Sequence, residues 1–94
     1  MRENANTINA EQEALSTTAE ELVGAKRTRR WIIIQNLDTS IAVYVGHDNT
    51  VGPTTGLPLA AGESTRLDTT AAVWMEAASG TPTVAFIEGL WTGV

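Results

Sequence analysis

The chain has 94 residues, which is room for one domain. Its 6 basic and 11 acidic residues give a net charge of −5, which argues against a sequence-independent nucleic-acid binder, because that function needs a basic face. With no cysteine and no apolar run near the ~18 residues of a membrane helix, it has neither a disulfide framework, nor a thiolate zinc site, nor a helical span.

A domain this short buries roughly 60–65% of the surface its unfolded chain exposes. It therefore gains from an oligomeric interface or a large partner. The stretch Met1-Arg2-Glu3-Asn4-Ala5-Asn6 has no hydrophobic signal region behind it. No asparagine begins an Asn-x-Ser/Thr sequon. Folding without secretion is the expectation.

Residues 1–12 are polar and short of large apolar side chains, and read as an extended N-terminal arm. The remaining 13–94 read as one domain. Residues 13–25 admit two readings. Thr17-x-x-Glu20 and Thr18-x-x-Glu21 match a capping box and favour a helix start, but only about two turns remain before Gly24. The alternative, preferred here, is a short strand, a bend at Ser16-Thr17-Thr18, and a second strand ending at Val23.

Lys26, Arg27, Arg29 and Arg30 place four of the six basic charges in five positions. They form either a solvated turn or a site for an acidic partner surface. Arg30-Trp31-Ile32-Ile33-Ile34-Gln35-Asn36 is dense in β-branched and aromatic residues and apolar on both faces, as in a strand covered on both sides. Asn36 to Ser40 is a turn, and Ile41 to Val45 a strand with Ile41, Val43 and Val45 on one face. The two strands are expected to pair as a hairpin. Gly46 to Gly62 is the longest irregular stretch. Short strands follow at Thr65–Asp68 and Ala71–Ala78, then a tight turn at Ser79-Gly80-Thr81-Pro82 and a last strand from Thr83 to Trp91. In that strand Val84, Phe86 and Leu90 can face a core, and Glu88 must reach water or a partner. About six short strands separated by turn signals indicate an all-β fold, a small antiparallel β-sandwich.

Candidate chemistry is sparse. His47, the single histidine, lies in the polar loop Gly46-His47-Asp48-Asn49-Thr50. Neighbours in an extended chain point to opposite sides, so spacing alone does not make His47 and Asp48 a dyad. No Gly-x-Ser-x-Gly elbow is present, no calcium-loop pattern follows Asp48, and Gly52-Pro53-Thr54-Thr55-Gly56 lacks the Lys-Ser/Thr of a phosphate loop. Neither catalytic residues, nor a metal, nor a cofactor is expected. The three tryptophans are many for this length. Trp74, between Val73 and Met75, reads as core. Trp31 stands beside the basic cluster, and Trp91 near the end of the last strand reads as an interface residue.

Several motifs occur in a telling order: Arg29-Arg30-x-Ile32-x-Ile34-Gln35-Asn36, Val43-Tyr44-Val45-Gly46, Gly56-Leu57-Pro58-Leu59-x-Ala61-Gly62-Glu63-Ser64, Leu67-Asp68, and Ala77-Ala78-Ser79-Gly80-Thr81. The series, over roughly residues 20–88, resembles a small jelly-roll-like β-sandwich of tailed-bacteriophage virion proteins. The resemblance implies a structural protein and not an enzyme, of the capsid decoration or cement type. Its partner would be the phage major capsid protein, and its place the capsid surface after synthesis in the host cytoplasm. It also implies a homo-oligomer, a trimer before a dimer, with no nucleic-acid or membrane partner. A tail, neck or head-fibre component is the alternative, and a carbohydrate-binding module a further one. The interface residues expected are Arg27, Arg29, Arg30, Trp31, Leu90 and Trp91.

Overall fold

The computed structural model describes residues 5–92. Their regular structure consists of eight strands: β1 (Thr7–Ala14), β2 (Glu20–Val23), β3 (Arg29–Asn36), β4 (Val43–Gly46), β5 (Leu57–Leu59), β6 (Ser64–Leu67), β7 (Val73–Ala77) and β8 (Thr83–Leu90). They form two four-stranded sheets, ordered β1-β8-β3-β6 and β2-β7-β4-β5, in which every pairing is antiparallel. The fold is the all-β sandwich expected.

The topology follows one rule. β1 pairs β8, β2 pairs β7, β3 pairs β6 and β4 pairs β5, so the chain is one long antiparallel ribbon doubled back between β4 and β5. Rolling that ribbon brings β3 against β8 and β4 against β7, and closes the two sheets on each other. This is the strand order of a jelly roll.

Alternation explains the core. Ile32 and Ile34 of β3, Val43 and Val45 of β4, Val73, Met75 and Ala77 of β7, and Val84 and Phe86 of β8 are buried between the sheets. Leu15 is 1% exposed and plugs the corner where the chain leaves β1 for the second sheet. Asn36 is fully buried and joins the layers. Its Nδ2 donates to Ile41 O (2.8 Å) and Leu59 O (3.1 Å), and its Oδ1 accepts from Asp38 N (3.0 Å).

Several expectations need correction. Residues 7–12, assigned to the arm, belong to β1, and the rest of the arm up to residue 4 lies outside the described residues. β1 is an edge strand held by backbone bonds to β8, so it needs no apolar stripe of its own. β5 hides inside the glycine- and proline-rich stretch. Pro58 is tolerated because β5 lies at the edge of its sheet. β3 and β4 are not a hairpin: they lie in different sheets, and 37–42 crosses between them. The turn after β7 likewise crosses between sheets, with Gly80 at φ +60°. Trp74 is not core. It sits between buried Val73 and buried Met75, which puts it half-buried on the outer face. The segment 13–25 forms strand, bend and strand, with β2 ending at Val23.

Candidate docking surface

The two sheets differ on their outer faces. On the β2-β7-β4-β5 sheet, loop 47–56 folds back over β4. Val51 is 4% exposed and packs so tightly on Gly46 and Gly56 that a Cβ on either would lie 2.6 Å or 2.9 Å from Val51 Cγ2. The chain thus covers part of that face itself.

The outer face of the β1-β8-β3-β6 sheet has no such cover among the described residues. Its register places Ile8, Gly89 and Trp31 in one row, then Ala10, Ile87, Ile33 and Arg66, then Gln12, Ala85, Gln35 and Ser64. Ile8 is 63% exposed, and Ile33 and Ile87 are half-buried. A shallow groove between β1 and β3 has Ala10, Ile33, Ala85 and Ile87 in its lining. β3 was expected to be covered on both sides. The core covers Ile32 and Ile34, whereas Trp31 and Ile33 stay half-buried on the outside.

One end of this face is basic and aromatic. The indole of Trp31 lies on Gly89, and the Arg66 guanidinium stands 5.6 Å from the centre of the Trp31 rings. Arg66 Nε also meets Asp68 Oδ1 at 2.9 Å. Arg27 is exposed in the turn before β3, and Arg30 is half-buried next to Trp31.

Two of the expected contact residues are interior. Leu90 is buried at the end of β8. The Arg29 side chain is fully buried: Nη1 donates to Ala71 O (2.8 Å) and Thr69 O (3.4 Å), and Nη2 donates to Gly24 O (2.6 Å). Its charge faces Glu88, also fully buried, with Nε 3.5 Å from Oε2. That approach is not aligned as a hydrogen bond, so the attraction is Coulombic. Lys26 Nζ donates to Glu88 Oε1 at 2.6 Å. The basic cluster therefore divides. Lys26 and Arg29 neutralise the buried Glu88, and Arg27 and Arg30 remain at the surface. The signal was Glu88 itself, an acidic residue on an inward strand position. Trp91 is half-buried, and its backbone N–H donates to Thr28 O at 2.6 Å.

His47 and Asp48 do meet, contrary to the spacing argument, with Nε2 3.3 Å from Oδ2. The His47 side chain is 81% exposed, so it stands in open water and lines no shielded site. Thr50, through its hydroxyl and its backbone N–H, holds the Asp48 carboxyl below its ordinary pKa. Those bonds describe an Asx turn. No group of three or more His, Cys, Asp or Glu side chains converges as a metal site among the described residues.

No protein-family model matches the chain, and no curated protein matches its sequence. Among solved structures the fold is similar to the stem and receptor-binding domain of spike protein P1 from bacteriophage PM2. The TM-score is 0.66 and the identity 18%, over 82% of this chain and 31% of that one. A chain in the X-ray structure of the entire lipid-containing bacteriophage PM2 matches with the same TM-score and identity, over 82% of this chain and 23% of that one. A third similar structure is of Bacillus endospore appendages that form disulfide-linked pili, with a TM-score of 0.55 and 11% identity over 92% and 87% of the two chains. The present chain spans less than a third of the matched phage chains. At these identities the likeness is one of fold.

Proposed function

We propose that this protein is a structural component of a phage virion, and specifically a capsid decoration or cement protein that binds the outer shell and bridges major capsid subunits. The observation that carries the proposal is the pairing of a jelly-roll sandwich, similar to that of the PM2 spike, with an apolar sheet face that the described chain leaves open. Two of the similar structures are phage virion chains and a third is of spore appendages, which supports a structural, non-enzymatic role. The tailed-phage decoration type rests on the motif series in the sequence.

Docking would run through the outer face of the β1-β8-β3-β6 sheet. Ile8, Ile33 and Ile87 supply apolar area, and fully covering one such side chain contributes about 1.5–3 kcal/mol. Arg27, Arg30 and Arg66 at the Trp31 end select an acidic patch on the major capsid protein. Ile87→Asp should abolish binding to capsids stripped of the protein and leave the far-UV circular dichroism unchanged. Ile8→Asp, at a more exposed position, should do the same. Full binding by both variants would remove this face from the proposal.

A second reading is a spike, tail, neck or head-fibre component, favoured by the likeness to a spike stem and receptor-binding domain. Copy number separates the two. Shell decoration requires hundreds of symmetry-related copies, and a spike or tail location about a dozen or a few dozen.

A further inference from the structure

The four sheet edges are unequal. β5 has three residues and carries Pro58. β6 has four residues, with Arg66 among them. β2 has four residues and an irregular register between Glu21 and Val23. Short length, charge, proline and irregularity are the usual means by which an edge avoids further pairing. β1 has eight residues and neither proline nor bulge; its two charges, Glu11 and Glu13, both lie in its second half, and every residue but Asn9 is exposed.

Its hydrogen-bonding groups left free among the described residues can be assigned. Leu15 N donates to Pro82 O (2.8 Å) in register with β1–β8 pairing, and Leu37 N donates to Thr83 O (3.0 Å) in register with β3–β8 pairing. Both bonds imply that the odd-numbered residues of β1 bond to β8. The N–H and C=O groups of Ile8, Ala10, Gln12 and Ala14 then point to the open edge.

We propose that β1 is a homotypic assembly strand, and that its occupant is β1 of a second copy, antiparallel about a two-fold axis at Ala10. Charge and overlap together select this register: it pairs residues 7–13 of β1, where one centred on Asn9 pairs only 7–11, and it keeps the carboxylates apart. Glu11 and Glu13 share one face of β1. With Ala10 on the axis, Ile8 pairs with Gln12 of the partner copy, Asn9 with Glu11, and Thr7 with Glu13. Each glutamate then faces a neutral hydrogen-bonding side chain. Moving the axis to Glu11 sets that carboxylate against its own copy, and moving it to Gln12 sets Glu11 against Glu13. Like charges directly opposite in the close, non-hydrogen-bonded pairs are destabilising. The Ala10 register makes about six new backbone hydrogen bonds. It extends the β1-β8-β3-β6 sheet across the axis into one eight-stranded sheet, whose outer apolar face is doubled. The inference is independent of the virion reading, because it concerns the purified protein alone.

Sedimentation equilibrium of the whole chain tests it, together with two variants. The wild type should weigh twice the 10.0 kDa of one chain. Ala10→Pro removes an edge N–H without touching the β8 ladder and should give a single-chain mass. Ala10→Cys, in a chain with no other cysteine, should form an intermolecular disulfide on oxidation, because the paired Cα atoms would lie about 5.5 Å apart. A single-chain or trimeric wild-type mass overturns the proposal. So does a dimer that survives Ala10→Pro, or a dimer in which Ala10→Cys does not cross-link.

Discussion

Trp31 lies so close on Gly89 that a Cβ on Gly89 would overlap the Trp31 ring. The two residues share one rung of the β3–β8 ladder. Glycine is required here by proximity and not by an unusual φ. The indole lies against the backbone of β8 at Gly89, whose other ladder partner is Ile8 of β1, and this close seat fixes the aromatic end of the open sheet face.

Gly89→Ala should therefore displace the indole and cost about 1–3 kcal/mol, as overpacking does. Urea denaturation measures the loss, and the near-ultraviolet circular dichroism should change with it. Adding Trp31→Ala to Gly89→Ala removes the clash, so the two substitutions should be strongly non-additive. A stable, additive pair would mean that the ring is not seated on Gly89.

Arg29 and Glu88 should behave as a unit. Glu88→Leu alone strands the buried Arg29 charge and should cost about 3–5 kcal/mol, whereas Arg29→Met leaves Glu88 paired with Lys26 and should cost less. The double variant Arg29→Met/Glu88→Leu should recover most of that loss, although Lys26 and the carbonyls of Gly24 and Ala71 lose partners. Lys26→Ala should cost less, because the Lys26 side chain is 42% exposed and water can replace it. A double-mutant cycle on chemical unfolding measures the coupling. Additivity would show that the two charges do not interact.

Much of the fold was legible in the sequence, because alternation in β3, β4, β7 and β8 is strong where both sheets bury a side chain. The sheet to which each strand belongs was not legible. Asn36-Leu37-Asp38-Thr39-Ser40 has the residues of a hairpin turn, and the same Asx bonds serve a crossing between sheets. β1 escaped notice because an edge strand held by backbone bonds needs no apolar stripe. The open sheet face was half legible. Trp31-Ile32-Ile33-Ile34 announced a strand apolar on both sides, but its outer neighbours Ile8, Ala10 and Ile87 come from distant strands. Arg29 was misplaced because a run of basic residues does not reveal which one turns inward. Glu88 supplied the answer only once β8 was set beside β3.

Asn36 should tolerate neither shape nor charge change. Asn36→Leu leaves Ile41 O, Leu59 O and Asp38 N without the partners they have, at about 1–3 kcal/mol for each buried group left unsatisfied. Asn36→Asp places a carboxylate against two carbonyl oxygens. That variant should be more stable in mild acid than at neutral pH, since protonation restores one donor. Thermal unfolding across pH distinguishes the two outcomes, and a flat profile for Asn36→Asp would argue against the assigned bonds.

Asp38 sets part of the acid limit. Backbone N–H groups of Ser40 and Ile41 bond its Oδ2 (2.9 and 2.7 Å) and hold its pKa below the ordinary 3.8. A group depressed in the folded state binds its proton more readily when unfolded. Its contribution is present in full above about pH 4–5, and fades as pH falls through the lowered folded value. Asp38→Asn should flatten the acid limb of the stability profile. An acid limb as steep as the wild type's would contradict the assigned role.

Quantitative mass spectrometry of purified virions, with cryo-microscopy of the same particles, bears most directly on the structural virion role. The account predicts this chain in mature particles in fixed, symmetry-related copies on the shell, hundreds if it decorates the capsid. Its absence from purified mature particles would contradict the account.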